Sequence, residues 1–447
     1  MLQLKKIIRE DNFLSLSGNL IIAILGFGGF ALLARSLNPD DFAKWVLFIS
    51  GGSLVEMLRY GITNNGLVRF LSGATKNQQE HLIGSNVFIS ALVTLVIVAI
   101  MSISYLVFND VITNSAYEVF FKWYPILAFL NLPYNNALVV QQAKMEYGKI
   151  LIIRAISSSF FFTFLMINYF FFDLNVDQIA IAFLLFMFVT SVFCVLKSWD
   201  GLLLIRKTNK TSVKTLLNFG KYSTFTLIGT NLLSNADIII ISLSPFGNAA
   251  VALFSIPLKL TEMQQIPLRS FTATAFPKMS KASMEGRILD VKNLFHIYSG
   301  ALTYLFFFIS LITFLFAKEF VILVSGYQYL DVNIHGIDII MIVKILSVYG
   351  FILPLDRMTG IGLDSINRPK INTLKVCIML CLNIIGDLIA IYVFKSIELV
   401  AVTTLIFTAA GIGVGWYFLA KSFPLSFLEI YQSANHFYKN MLPNLSK

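Results

Sequence analysis

The chain has 447 residues, of which 57% are hydrophobic and only 13% are charged, and its formal net charge is +10 at pH 7. A soluble chain carries nearer a quarter charged residues, so this composition excludes an ordinary soluble globular protein. Apolar runs of about 20 residues recur from end to end, and each is long enough to cross the hydrocarbon core as a helix. The sequence therefore predicts an all-α polytopic membrane protein.

Twelve membrane spans are predicted, and the first is expected to remain uncleaved. They cover residues 12–34, 42–68, 82–108, 117–141, 147–172, 178–204, 215–242, 248–276, 293–317, 337–362, 371–394 and 398–420. Lys and Arg favour the cytoplasmic side of a membrane. Placing the N-terminus in the cytoplasm puts most of the 34 Lys and Arg on that side. This bias predicts that both termini are cytoplasmic, and it accounts for the positive charge without a nucleic-acid partner.

A strongly basic connection, residues 202–223, follows the sixth span. It divides the chain into two predicted six-helix lobes, 1–206 and 207–447. Residues 12–72 align without gaps on residues 218–278, and this alignment pairs Pro39 with Pro245 and Glu56 with Glu262. Six spans in each lobe give both lobes the same orientation, which is a parallel repeat. Parallel repeats are one architecture of alternating-access transporters, with the substrate site between the halves.

Charged side chains recur on one helical face in spans two and eight. The face in span two comprises Gly52, Glu56, Arg59, Thr63 and Gly66, and the face in span eight comprises Lys259, Glu262, Gln265, Arg269 and Thr272. An ionised side chain at mid-bilayer costs about 2.5–3.5 kcal/mol, so these faces predict a shared polar cavity. The surplus of Arg269, with Lys344 and Arg357 nearby, makes that cavity cationic and suited to an anionic substrate. The alternative is that Glu56–Arg59 and Lys259–Glu262 are internal pairs that cancel charge.

Further polar residues lie inside spans four, seven and ten. Asp237 in span seven is a candidate for cation or proton coupling, and bracing of the outer loop is an equal alternative. Pro133 predicts a kink in span four that frees backbone carbonyls. The neighbouring amides suit sugar hydroxyls or interhelical hydrogen bonds; they are Asn135, Asn136 and Gln141. In span ten, Asp356 and Arg357 follow Pro354 and can pair at a kink.

No pattern indicates a cofactor, a metal site or catalysis. The three Cys residues fall within spans, the four His residues are scattered, and no nucleotide-binding loop is present. The longest predicted outer loop, about 318–336, is too short to form a catalytic domain. Three Gly residues in span twelve, Gly411, Gly413 and Gly415, are expected to allow close helix packing.

The stretch "LLARSLNPDDFAKWVLF" (32–48) resembles the polysaccharide flippases of the multidrug/oligosaccharidyl-lipid/polysaccharide exporter (MOP) superfamily, the Wzx-type O-antigen transporters. In that family a leucine-proline-acidic-Phe-Gly loop follows span one, matched here by Leu37, Pro39, Asp41 and Phe42, with Ala43 in place of Gly. The second half shows a similar pattern in Asp237, "SLSPFGNAAVALFSI" and "AFPKMS" (275–280). The resemblance covers essentially the whole chain. Span one lacks the basic residues of the related murein lipid flippase, which argues against a murein precursor as substrate.

The resemblance implies a V-shaped bundle in the bacterial inner membrane. Its central cavity would be lined by spans one, two, seven and eight. Such flippases move an undecaprenyl-pyrophosphate-linked repeat unit to the periplasmic leaflet, powered by an ion gradient. The implied partners are this lipid-linked substrate, membrane lipids and other glycan-assembly membrane proteins. The substrate would be held by Arg59, Arg269 and Lys259, with Glu56 and Glu262 setting their orientation.

Two other functions remain open from the sequence. An ion-coupled drug exporter of the same superfamily would need an anionic cavity for cationic drugs. An integral-membrane enzyme of glycan assembly would use acids such as Asp40 and Asp41, but enzymes of this kind generally carry a large periplasmic domain. The sequence therefore favours a flippase that is not an enzyme.

Overall fold

The computed structural model describes residues 11–61, 63–71, 74–330 and 336–435. These residues form helices joined by short connections, and no β-strand occurs among them. The α-helices are α1 (Asp11–Ser36), α2 (Pro39–Gly61), α3 (Asn64–Leu71), α4 (Lys76–Val107), α5 (Asn109–Thr113), α6 (Glu118–Leu130), α7 (Leu132–Ala143), α8 (Tyr147–Phe171), α9 (Val176–Leu196), α10 (Lys210–Ser242), α11 (Asn248–Met284), α12 (Ile288–Leu315), α13 (Ala317–Ser325), α14 (Ile339–Ser365), α15 (Pro369–Leu388) and α16 (Glu398–Ala420). Short 3₁₀-helices cover Leu202–Lys207 and Tyr327–Tyr329, and a π-helical turn, Ile389–Val393, continues α15.

A helix occupies each of the twelve predicted spans. Span two is divided into α2 and α3, because α2 ends at Gly61 and Thr63 lies in a turn. Glycine is a poor helix former, which is consistent with an end at this position. The predicted polar face of span two is therefore continuous only from Gly52 to Arg59, whereas the face of span eight lies within the single helix α11.

Seven helices of the described part of the chain are long and apolar enough to cross a membrane. They are α4, α8, α9, α12, α14, α15 with its π-helical turn, and α16. Only 28% of the apolar window of α4 is buried inside the protein. Exposed side chains on α4 include Leu95, Ile103 and Leu106. Such surfaces require an apolar solvent, and the protein is therefore a polytopic all-α membrane protein.

The chain divides into two compact units, whose boundary in the sequence falls between Leu232 and Leu233, within α10. The predicted lobes, 1–206 and 207–447, divide at the basic connection before this helix instead. These lobes are defined by six spans each, whereas the compact units are defined by internal contacts, so the lobe boundaries remain a prediction. The V shape implied by the resemblance also stays a prediction.

In the first unit, the connection between α1 and α2 explains the leucine-proline-acidic-Phe pattern. Asn38 Oδ1 accepts a hydrogen bond of 2.9 Å from the backbone N–H of Asp41, which caps the start of α2. Pro39 occupies the first helical position, where a missing N–H costs nothing. Leu37 and Phe42 are buried on either side. The motif is thus a helix start held between two buried apolar side chains.

Span four of the first unit is broken at Asn131, which separates α6 from α7. Pro133 lies in the first turn of α7, as expected for a residue without an N–H donor. The predicted kink at Pro133 is therefore a full interruption of the helix. It brings the Asn131 side chain and the Ala128 carbonyl oxygen to Arg59 of α2.

In the second unit, α14 packs against α11, α12 and α16. A Cβ atom at Gly411 would overlap Met379, and one at Gly415 would overlap Thr359, so both glycines allow the close approach that was predicted. Gly413 faces open space. Gly411 and Gly415 are four residues apart and share one face of α16, whereas Gly413 lies on a different face. Only two of the three glycines therefore contribute to this packing.

Candidate functional site

Arg59 lies at the centre of a hydrogen-bonded network inside the first unit, and its side chain is 0% exposed. Each N–H group of the guanidinium has an acceptor. Nη1 donates to Glu56 Oε1 at 2.6 Å and to Asn131 Oδ1 at 3.1 Å. Nη2 donates to the Ala128 carbonyl oxygen at 2.6 Å and to Tyr60 Oη at 3.2 Å. Thr94 Oγ1 lies 3.1 Å from Nε and 2.9 Å from Nη2. The guanidinium has no free donor for a ligand in this conformation.

Glu56 is the more accessible member of this network, with 25% of its side chain exposed. In addition to Arg59, its Oε1 accepts hydrogen bonds from Tyr124 Oη at 2.8 Å and Asn131 Nδ2 at 3.1 Å. Its Oε2 accepts one from Asn135 Nδ2 at 3.2 Å. The two oxygen atoms of the Glu56 carboxylate therefore link α2 to α6 through Tyr124 and to α7 through Asn135. The predicted Glu56–Arg59 pair is formed.

The other amides singled out in span four also make internal contacts. Asn86 Nδ2 donates to Asn136 Oδ1 at 3.3 Å, and Gln141 Nε2 donates to the Trp199 carbonyl oxygen at 2.8 Å. Asn135, as described above, is bonded to Glu56. Asn135 and Asn136 therefore make the predicted hydrogen bonds between helices, and Gln141 bonds the connection that follows α9.

The predicted residues of span eight lie on α11, in the second unit. Lys259 Nζ contacts Glu262 Oε2 at 2.7 Å, so the second predicted pair is also formed. Both side chains are partly exposed. Arg269 is exposed, and no ion pair is recorded for it among the described residues. Arg269 is therefore an accessible cation on the same helical face as a compensated pair.

A buried ion pair that the sequence did not indicate joins α15 to α14. Lys375 Nζ lies 2.7 Å from Asp356 Oδ1 and donates to the Asp356 carbonyl oxygen at 2.6 Å and Thr359 Oγ1 at 3.0 Å. Lys375 is 3% exposed. The expected pairing of Asp356 with Arg357 is wrong, because adjacent helical residues diverge, and Arg357 is exposed.

Lys375→Met is expected to lower the stability of the second unit by about 3–5 kcal/mol, because it leaves the Asp356 carboxylate buried without its cation. Thermal unfolding in detergent measures the loss. Lys370→Met removes an exposed charge from the same helix and is the matched control. Asp356→Leu combined with Lys375→Met should recover most of the stability. Equal unfolding temperatures for Lys375→Met and Lys370→Met would contradict a stabilising pair.

Asp237 belongs to a buried cluster within the second unit that contains a second carboxylate, Asp387. Asn383 Nδ2 donates to Asp237 Oδ1 at 2.8 Å and to Asp387 Oδ2 at 3.2 Å. Thr404 Oγ1 lies 3.4 Å from Asp237 Oδ2, and Thr403 Oγ1 donates to Asp387 Oδ1. Asp237 is 7% exposed and Asp387 is 0% exposed. We call these five residues the Asp237 cluster.

The Asp237 cluster has two carboxyl groups and, within the described residues, no basic side chain paired with either. The Asn383 Oδ1 atom is buried and has no hydrogen-bond partner in the same part of the chain. Two adjacent buried carboxylates repel each other unless a proton or a cation is shared between them. Carboxylate, amide and hydroxyl oxygens are ligands for hard cations. The cluster is therefore chemically suited to hold a proton or a small cation.

Sequence reasoning singled out Asp237 and missed its partners. Asn383 and Asp387 are four residues apart, and Asp387 is the sole acidic residue of predicted span eleven. A lone acidic residue inside a predicted membrane span indicates a functional site, and Asp387 could have been identified on this ground. Their contact with Asp237 depends on the packing of residues 146 positions apart in the chain, which no local pattern contains.

A family model described as a polysaccharide biosynthesis protein matches residues 8–283 of the chain. No curated protein matches it. The structure is similar to an inward-facing multidrug resistance MATE family transporter of the MOP superfamily, at 16% identity over 92% of this chain and 98% of that chain, with a TM-score of 0.73.

Two further solved structures are similar. The inward closed lipid II flippase MurJ shares 14% identity over 94% of this chain and 90% of that chain, with a TM-score of 0.69. A MOP superfamily transporter from Pyrococcus furiosus shares 15% identity over 93% of this chain and 94% of that chain, with a TM-score of 0.60. At these identities the likeness establishes the fold, which is that of MOP superfamily transporters.

Proposed function

The chain belongs to the polysaccharide biosynthesis protein family, and we propose on this basis that it is a flippase for a lipid-linked oligosaccharide. The substrate is an undecaprenyl-pyrophosphate-linked repeat unit, which moves from the cytoplasmic to the periplasmic leaflet by alternating access. The protein lies in the bacterial inner membrane with both termini in the cytoplasm. It translocates its substrate without a covalent step and is not an enzyme.

The structural observation that supports an anionic substrate for this flippase is the accessible Arg269 on α11. An arginine facing lipid costs about 2.5–3.5 kcal/mol, so its exposed guanidinium is better placed towards water and an anionic ligand. Guanidinium geometry matches two phosphate oxygens at once. Glu262 and Lys259 lie on the same face, about two and about three helical turns away. We assign Arg269 to the pyrophosphate, with Lys259 as a second cation and Glu262 as its counter-ion in the unloaded state.

Arg59 takes a different role in the conformation described above. Its guanidinium is fully occupied, and the exposed edge of the network is Glu56. We place Arg59 as a positioning residue that holds α2 against α4 and the broken span four. Direct binding of the pyrophosphate by Arg59 requires the Glu56 contact to open, so that phosphate oxygens replace the carboxylate. In this scheme the substrate loosens the network when it binds.

The Asp237 cluster is proposed as the site of ion coupling. Its two carboxyl groups accept a proton or a small cation, and its members join α10, α15 and α16. Loss of the ion leaves two buried carboxylates in repulsion, which favours a rearrangement of these helices. The energy of an ion gradient is thereby available for transport.

A strain lacking the gene tests the proposed function. Lipid-linked repeat units are expected to accumulate on the cytoplasmic face, and a plasmid copy of the wild-type gene should release them. Normal surface glycan without accumulation, in a strain checked for a second flippase, would overturn the proposal. Efflux of cationic dyes by the wild-type strain, lost in the deletion, would favour a drug exporter instead.

A further inference from the structure

The first unit contains a cavity of about 530 Å³ at the start of α10, and none of its lining residues belongs to the Arg59 network or to the Asp237 cluster. A cavity of this size accommodates a small polar group with part of its attached chain. Its wall combines two lysines, polar neighbours and apolar side chains: Phe88, Thr208, Asn209, Lys210, Val213, Lys214, Leu217 and Asn218.

The wall of this cavity is fixed to α4 by close backbone contacts. A Cβ atom at Gly84 would lie 2.1 Å from the Leu204 carbonyl oxygen, so glycine allows the 3₁₀-helix to pack directly on α4. The backbone N–H of Asn209 lies 3.4 Å from Ser85 Oγ. Asn209 Oδ1 in turn accepts a hydrogen bond of 2.7 Å from the Ser212 N–H, which caps α10. The cavity is therefore bounded by an anchored segment.

The two lysines of the cavity differ from the basic residue just before them. Lys207 is paired with Glu80. Lys210 and Lys214 are exposed, and neither has an ion-pair partner among the residues that the structure describes. They are four residues apart and lie on one helical face, where like charges repel. An anion held between them removes this repulsion.

The apolar part of the wall indicates what kind of anion is suitable. Phe88 and Leu217 are each 41% exposed, and both border the same cavity as the lysines. A free inorganic anion has no use for these surfaces. An anionic lipid satisfies both, because its phosphate meets the ammonium groups while its acyl chain covers the aromatic and aliphatic side chains.

We propose that this cavity binds the headgroup of an anionic phospholipid of the cytoplasmic leaflet. Lys210 and Lys214 hold the phosphate, and Phe88 and Leu217 contact the first part of an acyl chain. The bound lipid ties the connection between spans six and seven to the membrane surface. This site shares no residue with the proposed transport site, and the proposal does not depend on the identity of the transported substrate.

Amine labelling of the reconstituted full-length protein tests the lipid site. The protein is placed in vesicles of phosphatidylcholine alone or of phosphatidylcholine mixed with phosphatidylglycerol, treated briefly with acetic anhydride, and digested for mass spectrometry. Phosphatidylglycerol is expected to slow acetylation of Lys210 and Lys214 by about fivefold relative to Lys281 and Lys370. These two reference lysines are exposed and lie outside the cavity.

Two further arms separate a lipid from other anions. Phe88→Ala should reduce the protection by phosphatidylglycerol, whereas Leu203→Ala, at an exposed position outside the cavity, should leave it unchanged. Equal labelling ratios in the two kinds of vesicle would overturn the proposal. Full protection by inorganic phosphate in phosphatidylcholine vesicles would also overturn it, because the site would then be a simple anion site.

Discussion

Arg59→Ala is expected to abolish complementation of the deletion strain and to lower the stability of the first unit by about 3–5 kcal/mol. The substitution removes the guanidinium that bonds acceptors on α2, α4 and α6 and on Asn131 between α6 and α7, and it leaves the Glu56 carboxylate without a cation. Accumulated lipid-linked repeat units report translocation, and thermal unfolding in detergent reports stability.

A charge-neutral pair of substitutions separates transport from folding at this position. Glu56→Gln combined with Arg59→Met removes both charges together and should regain much of the lost stability. If Arg59 and Glu56 take part in transport, this double variant folds but still fails to complement. Full complementation by the stable double variant would show that the network is structural and would remove both residues from the proposed site.

An ion gradient is expected to accelerate transport by the wild-type protein. Asp237→Asn and Asp387→Asn should each reduce this acceleration by about 5–150-fold, the factor that corresponds to a typical coupling free energy. Both substitutions keep the shape of the side chain and remove a carboxylate that can exchange a proton or bind a cation. Proteoliposomes with an imposed sodium or proton gradient provide the measurement.

Asp364→Asn is the matched control for the coupling site. Asp364 is a partly buried carboxylate on α14 that accepts a hydrogen bond from Asn372 and lies outside the Asp237 cluster. The control should retain the response to the gradient. A wild-type response in both Asp237→Asn and Asp387→Asn would refute coupling at the cluster and leave it as a structural contact.

The features that were predicted correctly depend on local patterns. Apolar runs located a helix in every predicted span, and the i,i+3 spacing of Glu56 with Arg59 and of Lys259 with Glu262 identified pairs that are both formed. Pro133 marked the interruption of span four. In each case the interacting groups are within one or two helical turns, so the sequence alone contains the geometry.

The features that were missed depend on packing between distant segments. Lys375 on α15 pairs with Asp356 on α14, and Asn383 bridges Asp237 and Asp387. The sequence offered isolated charges within apolar spans at these places, but not their partners. The same limit explains Arg59: spacing identified Glu56 beside it, whereas its acceptors Thr94 and Asn131 lie in distant parts of the chain.

Translocation by the purified protein is the most direct test of the proposed flippase activity. The wild-type chain is reconstituted alone into vesicles that contain a fluorescent undecaprenyl-pyrophosphate-linked oligosaccharide, and a membrane-impermeant quencher reports the fraction left in the outer leaflet. The quenched fraction is expected to change with time after an ion gradient is imposed, and Arg269→Ala should slow this change more than Lys281→Ala does. If the protein is correctly folded and the quenched fraction stays as constant as in protein-free vesicles, the protein is not a flippase for this lipid.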